Sequence, residues 1–597
     1  MMQFRLWRNL YFIACACLAL TLTATHAGRN PADPQKILRV AFPTAESGFD
    51  PARVNDIYSN TITSLVFHTL LTYDWMAQPS KIVPAAIEAM PEVSADGTVY
   101  TFKVKKGIYF TPDAAFKGKR RELDARDFRY SILRHVDPRN RSPQLADLED
   151  KIFGLAEASR KAQESGKFDY DQVYEGIEAP DRHTLRIRLI QPDRNLLRLL
   201  ANPWFGAVAR EVVEHYGPDG AMAHPVGSGP YILDKWVRGS RIVLKANPDY
   251  PGFTWDFQAP DDPIEQRIAR QMQGRRMPQI GQIEISIMEE PQSMWLAFND
   301  KKIDAITMFP PTFIEEALDE KNQLLPKMLE QGVGMYRSLE PDIRYQFFNM
   351  RDPVIGGYSK EKIALRRAII MAYDVDEDIR VVRKNQGIKP TQIISPVVPG
   401  HDPDYRGIVR YDPVLANSLL DQFGYKRGSD GLRNQPDGKP LVFTMYSSTS
   451  SIDRERDELW KKSMDRIGIR LAVKKDKFPE MLKRGKQCAI PSWSLGWTRS
   501  PDAEYVMKLL SSKNIGQSNY ACFENEEYDR YFEQIKRLPD GPERTRALHN
   551  MYRLMEVYGV LGLNVTTLAT RLHHARVEGY RKHPLLLTDW LYMDVKK

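Results

Sequence analysis

His224-Pro225-Val226-Gly227-Ser228-Gly229-Pro230-Tyr231, followed by Trp236, Arg238-Gly239 and then Asn247-Pro248-Asp249-Tyr250, is the stretch on which the reading of the fold turns. The glycines flanking Ser228 permit a tight backbone bend, and Pro230 makes its exit rigid. Tyr231 and Ile232, then Ile242, Val243 and Leu244, supply two short apolar strands. Spacing alone therefore gives a β-hairpin and no chemistry.

The surrounding chain has 597 residues, too many for one hydrophobic core, so two to four packed units are expected. With 42% hydrophobic and 27% charged residues the composition is that of an ordered globular protein. At the N-terminus Arg5 and Arg8 precede an apolar run from Leu10 to Leu22, and Thr25-His26-Ala27 offers the small residues a signal peptidase reads, so residues 1–27 are expected to be an export signal. That run is about 13 residues, short of the ~20 that span hydrocarbon as a helix. Neither Cys15 nor Cys17 sits where a lipoprotein signal is processed. Without residues 1–27, the 85 basic residues lose two arginines and stand against 77 acids, a balance of +6. No single-sign block of the kind that binds nucleic acid occurs; Lys117 to Arg121 and Gly274-Arg275-Arg276 are short, and no nucleic-acid partner is expected. Cys488 and Cys522 are the cysteines left after processing. In an oxidising compartment their pairing would add about 3–4 kcal/mol by constraining the unfolded chain, the alternative being two buried thiols.

Outward from the hairpin, Ile37 to Phe42 reads as a buried strand leading into the loop Ala45-Glu46-Ser47-Gly48-Phe49-Asp50-Pro51, with a helix beginning near Asn55. Asp96-Gly97 marks a hairpin turn, Thr101 to Val104 an alternating strand, and Asp124 to Ser131 a capped helix start with Asp127 in its first turn. Residues 251–282, polar and rich in Pro, Gln and Arg, read as a surface loop or an extra helix. Tyr345 to Asn349 reads as a strand and Leu365 to Asp374 as a helix, while Tyr411-Asp412-Pro413 starts a helix that stops at Gly424. Strands at Leu441 to Tyr446 and Ile469 to Val473, with an amphipathic helix from Asp453 to Ile467 between them, form a βαβ pattern and so a parallel pair.

Neither His-Glu-x-x-His nor Gly-x-Ser-x-Gly occurs, and Ser228 lacks the variable neighbours of a nucleophile elbow, so no catalytic residue is assigned and the chain is expected not to be an enzyme. His573-His574 is the one adjacent histidine pair. Neighbours on a strand point to opposite faces and do not readily share a metal, so no metal ligand and no cofactor is assigned.

The hairpin stretch resembles the core motif of the family 5 solute-binding proteins, the oligopeptide and dipeptide receptors of bacterial ABC importers. The resemblance extends through Val66 to Asp74, Ala125-Arg126-Asp127-Phe128, Ile303-Asp304-Ala305 with Phe309-Pro310-Pro311, Pro396 to Gly400, Asn525 to Asp529, and Gly562 to Tyr580, in the family's order. It implies an α/β, periplasmic-binding-protein-like fold with two lobes around a ligand cleft and a smaller inserted αβ subdomain. The expected boundaries are lobe I at 28–78, the insert at 79–183 completed by the strand Thr184 to Leu189, lobe I again at 184–337, lobe II at 338–562, and a return to lobe I at 563–597.

The same resemblance implies a periplasmic, monomeric receptor that captures a peptide or peptide-like solute by lobe closure and delivers it to permease subunits in the inner membrane. A secreted peptide or cell-wall hydrolase is the alternative from another class, and a metal-chelate or haem carrier an alternative on the same fold. Two loops are expected to meet the ligand. Glu46, Ser47, Gly48 and Phe49 would offer exposed amides and carbonyls to an extended chain. Trp497, Thr498, Arg499 and Asp502 would form the second contact. Peptide receptors of this family carry an Asp about three residues after that tryptophan to hold the peptide's α-ammonium, and here the position is Ser500. Asp502 would serve the amine if it swung into place; otherwise Arg499 would favour an anionic group through its planar fork.

Overall fold

The computed structural model describes residues 30–597 apart from 55, 308 and 310–312. The export signal at 1–27, the helix start at Asn55 and the Pro310-Pro311 turn lie outside the described residues. The fold is α/β, in two compact units. The first takes the described residues up to Ala77 together with Lys81–Ile306 and His573–Lys597, and the second takes Gln78–Ser80 and Thr307–Leu572.

In the first unit the strands run Asp33–Phe42, Ile280–Ile287, Arg241–Ala246, Tyr231–Val237 across one sheet. The first pair is parallel, with Leu38 opposite Ile283 and Val40 opposite Ile285. The hairpin of Tyr231–Val237 with Arg241–Ala246 is antiparallel. Alternate residues Leu38, Val40, Phe42, Ile283 and Ile285 are buried, as a period of two requires of a strand with one face on the core.

The glycine stretch before the hairpin lies against the end of the helix Ile57–Val66. A Cβ on Gly227 would stand 1.9 Å from the Val66 carbonyl oxygen, and one on Gly229 2.5 Å from that of Leu65. The missing side chains let the Gly229 amide donate to Val66 O at 2.8 Å, while Asn247 Nδ2 donates to Gly229 O at 2.8 Å. Tyr231 is fully buried and donates from its hydroxyl to Ile280 O at 2.9 Å. The motif is thus a structural junction between helix and sheet.

A second, four-stranded antiparallel sheet in this unit has the order Glu92–Val93, Val99–Lys103, Thr184–Arg188, Ile177–Asp181. It packs with the helix Ala125–Arg134, whose N-terminus carries a full capping box of Asp124 and Asp127. Their apolar core draws residues from Leu70 to Val226. Because Thr184–Arg188 is an inner strand, this sheet closes only beyond residue 183.

Of the two readings of residues 251–282, surface loop or extra helix, the structure shows the helix. These residues hold the helix Pro263–Met272, started by Asp262 as cap and Pro263 in its first turn, with Ile268 and Met272 buried. Polar composition masked it because its inward face includes Glu265, which pairs with the fully buried Arg581 of the returning C-terminal segment at 2.6 Å. That segment is fastened further by Lys36 to Asp594 at 2.7 Å and Arg275 to Glu578 at 2.8 Å.

The second unit is built on strands in the order Leu561–His574, Ile343–Phe348, Ser492–Trp497, Val442–Ser447, Arg470–Lys475. Val442–Ser447 and Arg470–Lys475 are parallel, and the helix Ser451–Ile467 connects them. Ile343–Phe348 runs antiparallel to Ser492–Trp497, setting Arg344 opposite Gly496. The chain passes from the first unit to the second after Ile306 and back after Leu572, against the expected 337 and 562. Pairing explains the shift: Val333–Leu339 adds to the long strand that begins at Leu561, so Val333–Leu339 and that strand as far as Leu572 stay with the second unit's sheet.

Candidate ligand-binding loops

The first loop leaves the parallel strand Asp33–Phe42 and is held from within its own unit. The Ser47 amide donates to Ser59 Oγ at 2.9 Å, Ser47 Oγ donates to Asp56 Oδ2 at 2.5 Å, and the Phe49 amide donates to Met222 O at 2.8 Å. The expectation of an exposed row of amides is therefore corrected: those of Ser47 and Phe49 are taken. The carbonyls of Glu46, Ser47 and Gly48 and the Gly48 amide make no internal hydrogen bond among the described residues.

Gly48 has φ +145°, and a Cβ there would overlap Met222 Cε at 2.4 Å, so the loop's course needs glycine. Phe49 is fully buried, its ring edge-on to Trp236 at 4.8 Å, which makes its side chain core rather than a ligand contact. Glu46 is buried too. Its Oε1 accepts the Trp236 indole N–H, while Oε2 has no partner.

Directly after the loop, Asp50 forms a two-pronged ion pair with Arg134 of the helix Ala125–Arg134, both bonds 2.6 Å and both side chains 1% exposed. Burial alone would raise the Asp50 carboxyl, but the guanidinium outweighs it and holds the group below its ordinary value. Sequence reading missed this anchor, since 84 residues separate the partners and a lone Asp-Pro pair signals only a turn. It also missed the role of Trp236, present in the hairpin stretch but 190 residues from Glu46.

The second loop follows the strand Ser492–Trp497. Trp497 is half-buried, donates its indole N–H to Tyr505 O at 3.1 Å, and lies 5.2 Å from the Tyr505 ring. The Lys508 ammonium sits 4.1 Å from the Tyr505 centroid and 5.6 Å from that of Trp497, a cation over two aromatic faces. Thr498 and Arg499 are exposed, and Arg499 occupies the left-handed region at φ +57°.

Ser500 is 1% exposed and anchored by its amide to Pro341 O at 2.9 Å. Asp502 is 2% exposed and caps the helix Ala503–Met507, accepting the Tyr505 amide at 2.8 Å. The acid expected to hold an amine is thus committed to a helix terminus. Of the residues assigned to this loop, Trp497, Thr498 and Arg499 present side-chain surface.

Cys488 and Cys522 are disulfide-bonded, with Cα atoms 6.1 Å apart, joining the approach to the strand Ser492–Trp497 to the segment before the helix Glu526–Arg537. His573 stacks on Tyr580 at 4.9 Å, and His574 stacks on Phe298 at 4.2 Å with Nε2 against the Phe298 carbonyl at 2.8 Å. The pair packs its rings separately. Among the described residues no three His, Cys, Asp or Glu side chains gather as a metal site, and no helix is long and apolar enough to cross a membrane.

The sheet order and the two-unit division define an α/β binding-protein fold. The Helicobacter pylori periplasmic binding protein DppA, solved in complex with the peptide STSA, superposes with a TM-score of 0.67 at 20% identity, over 94% of this chain and 98% of that one. The sequence profile of the bacterial extracellular solute-binding proteins, family 5 Middle, matches residues 81–518, and the chain belongs to that family. Among its relatives, the Di/tripeptide-binding protein 2 of Pseudomonas aeruginosa is 25% identical over 93% of this chain and 94% of its own length. The Heme-binding protein A of Haemophilus influenzae is 23% identical over 84% and 82%.

Proposed function

We propose that this chain is the periplasmic substrate-binding component of an ABC importer, taking up a peptide or peptide-like solute and handing it intact to a membrane permease. The observation that carries the reading is the near end-to-end match, 93% of this chain against 94% of the relative, to a protein named for di- and tripeptide binding. The carbonyls of Glu46, Ser47 and Gly48, fixed by bonds that leave them unengaged, suit an extended peptide, whose amides need acceptors. Trp497, with Thr498 and Arg499 beside it, gives a half-exposed aromatic wall that tolerates varied side chains. A ligand that touches both loops favours the closed arrangement of the lobes and shifts the population toward it. No bond is made or broken.

Mass spectrometry of a defined di- and tripeptide mixture, before and after incubation and gel filtration with the protein, tests the reading. Peptides co-eluting with unchanged masses are expected; new, shorter masses identify the hydrolase alternative instead. A haem or metal-chelate cargo is the second reading, favoured by the haem-binding relative. A Soret band or stoichiometric metal in protein purified from its own host would establish it.

A further inference from the structure

The helix Arg210–Ala223 of the first unit is broken in its middle. Gly217 takes φ +71° and ψ 172°, a backbone conformation open to glycine, so the chain on its two sides forms separate helical pieces. The piece after the break supports the first cargo loop. Met222 O accepts the Phe49 amide at 2.8 Å, the Met222 side chain fills the space a Cβ on Gly48 would need, and Asp219 Oδ1 accepts from Arg53 Nη1 at 3.0 Å. A glycine between two helical pieces is a ready hinge unless side chains bridge it.

Asp113 bridges it. This residue lies in the segment expected as the insert and caps the short turn Ala114–Phe116, accepting the Ala115 amide at 2.8 Å. Ala115 and Phe116 share an apolar core with Val212 of the first helical piece, so the turn is a fixed point. The Asp113 carboxylate takes one donor from each side of the break: the Tyr216 hydroxyl at 3.2 Å from before it, and His224 Nε2 at 2.8 Å from just beyond the second piece. A carboxylate only accepts, so His224 Nε2 carries the proton. Burial alone would raise the Asp113 carboxyl, but the Ala115 amide, His224 and Tyr216 outweigh it and hold the group below its ordinary value.

His224 follows Met222 by two residues, and its amide donates to Gly220 O at 2.9 Å. Holding its ring therefore holds the end of the piece on which the loop rests. The ring is half-exposed, and the titratable groups against it are Asp113 from the turn and Tyr216 from the helix, with His215 packed edge-on to Tyr216.

We propose that Asp113 and His224 are positioning residues for the first cargo loop: their bond staples the helix across Gly217 and so fixes where Met222 presents the loop. Proton uptake by His224 turns that bond into an ion pair and tightens the staple, which makes cargo capture respond to pH. The loop's part in cargo binding rests on the receptor reading, whereas the staple rests on these hydrogen bonds alone.

Hydrogen–deuterium exchange resolved to single amides reads the staple without any cargo. His224→Phe keeps a ring against Tyr216 and removes the donor; it should fold and raise exchange at the Phe49 amide about tenfold, leaving the strand Tyr231–Val237 unchanged. His224→Gln keeps a donor without a titrating group and should restore protection. Corrected for intrinsic exchange, wild-type Phe49 should be about threefold better protected at about pH 5.5 than at about pH 8, and His224→Gln equally protected at both. Unchanged exchange in His224→Phe, a wild type equally protected at both pH values, or a pH dependence that persists in His224→Gln would each overturn the inference.

Calorimetric titration with trialanine then reads the cargo side. His224→Phe should bind about fivefold more weakly than wild type, and His224→Gln as tightly as wild type. Unchanged affinity in His224→Phe, with its Phe49 amide exchanging freely, would overturn the positioning role. If trialanine binds no form of the protein while the exchange pattern appears, the peptide reading fails and the staple stands.

Discussion

The loop at Glu46–Phe49 and the segment Trp497–Asp502, the two proposed cargo contacts, are held in opposite ways. The first buries Phe49 and Glu46 against Trp236, ties the exposed Ser47 to Asp56, and leaves the carbonyls of Glu46, Ser47 and Gly48 without an internal hydrogen bond among the described residues. The second buries its ends, Ser500 on Pro341 and Asp502 as a helix cap, and leaves Thr498, Arg499 and one side of Trp497 outward. A main-chain surface is indifferent to cargo sequence, whereas a side-chain surface is where cargo chemistry is chosen. Selectivity should therefore follow substitutions in the second unit, while the first loop should respond mainly through its stability.

The largest effect should come from beneath the first loop. Arg134→Met leaves Asp50 buried without its partner and should destabilise the first unit by about 3–5 kcal/mol in denaturant unfolding. Adding Asp50→Leu should recover much of that loss, because replacing both charges removes the uncompensated one. If the single variant unfolds like wild type, the anchor is not what holds the loop.

Next is a pH dependence at the same helix end. His135 is 1% exposed, and burial pushes its imidazole down to about 4, the Trp204 carbonyl opposing this only in part. The unfolded chain then binds a proton that the folded chain refuses between about pH 6.5 and 4. The stability held through this group is complete above 6.5 and is lost as pH falls toward 4, by about 3 kcal/mol. Unfolding free energies measured across that window for wild type and His135→Phe should differ in slope by up to one proton. Parallel slopes would remove His135 from the balance.

The second segment should respond more gently. Asp502→Ala removes a helix cap and should cost about 1 kcal/mol, read in chemical unfolding. Arg499→Ala, at an exposed position, should change stability by no more than about 0.5 kcal/mol while weakening an anionic cargo by about 1–3 kcal/mol in titration calorimetry. Unchanged affinity would remove Arg499 from the site.

Much of the scaffold was legible because it rests on local periodicity. The parallel pair flanking the helix Ser451–Ile467, the capped helix at Asp124 and the hairpin after Gly229 all follow from patterns within about 30 residues. The helix Pro263–Met272 was half hidden, since Glu265 on its buried face reads as solvent-facing until Arg581 is brought to it. The unit boundaries shifted for a similar reason: the pairing of Val333–Leu339 with Leu561–His574 joins segments more than 200 residues apart. In the candidate loops, sequence named the right stretches but not the side chains' tasks. Nothing near Asp502 distinguishes a cap from a ligand except the helix that follows, and nothing near Asp50 points to Arg134.

Small-angle X-ray scattering, recorded while the protein is titrated with a defined tripeptide mixture, tests most directly whether this chain is a receptor that closes on its cargo. The account predicts a saturable fall in radius of gyration, with every peptide recovered intact. A radius unchanged at saturating peptide, or peptides recovered as fragments, would contradict it.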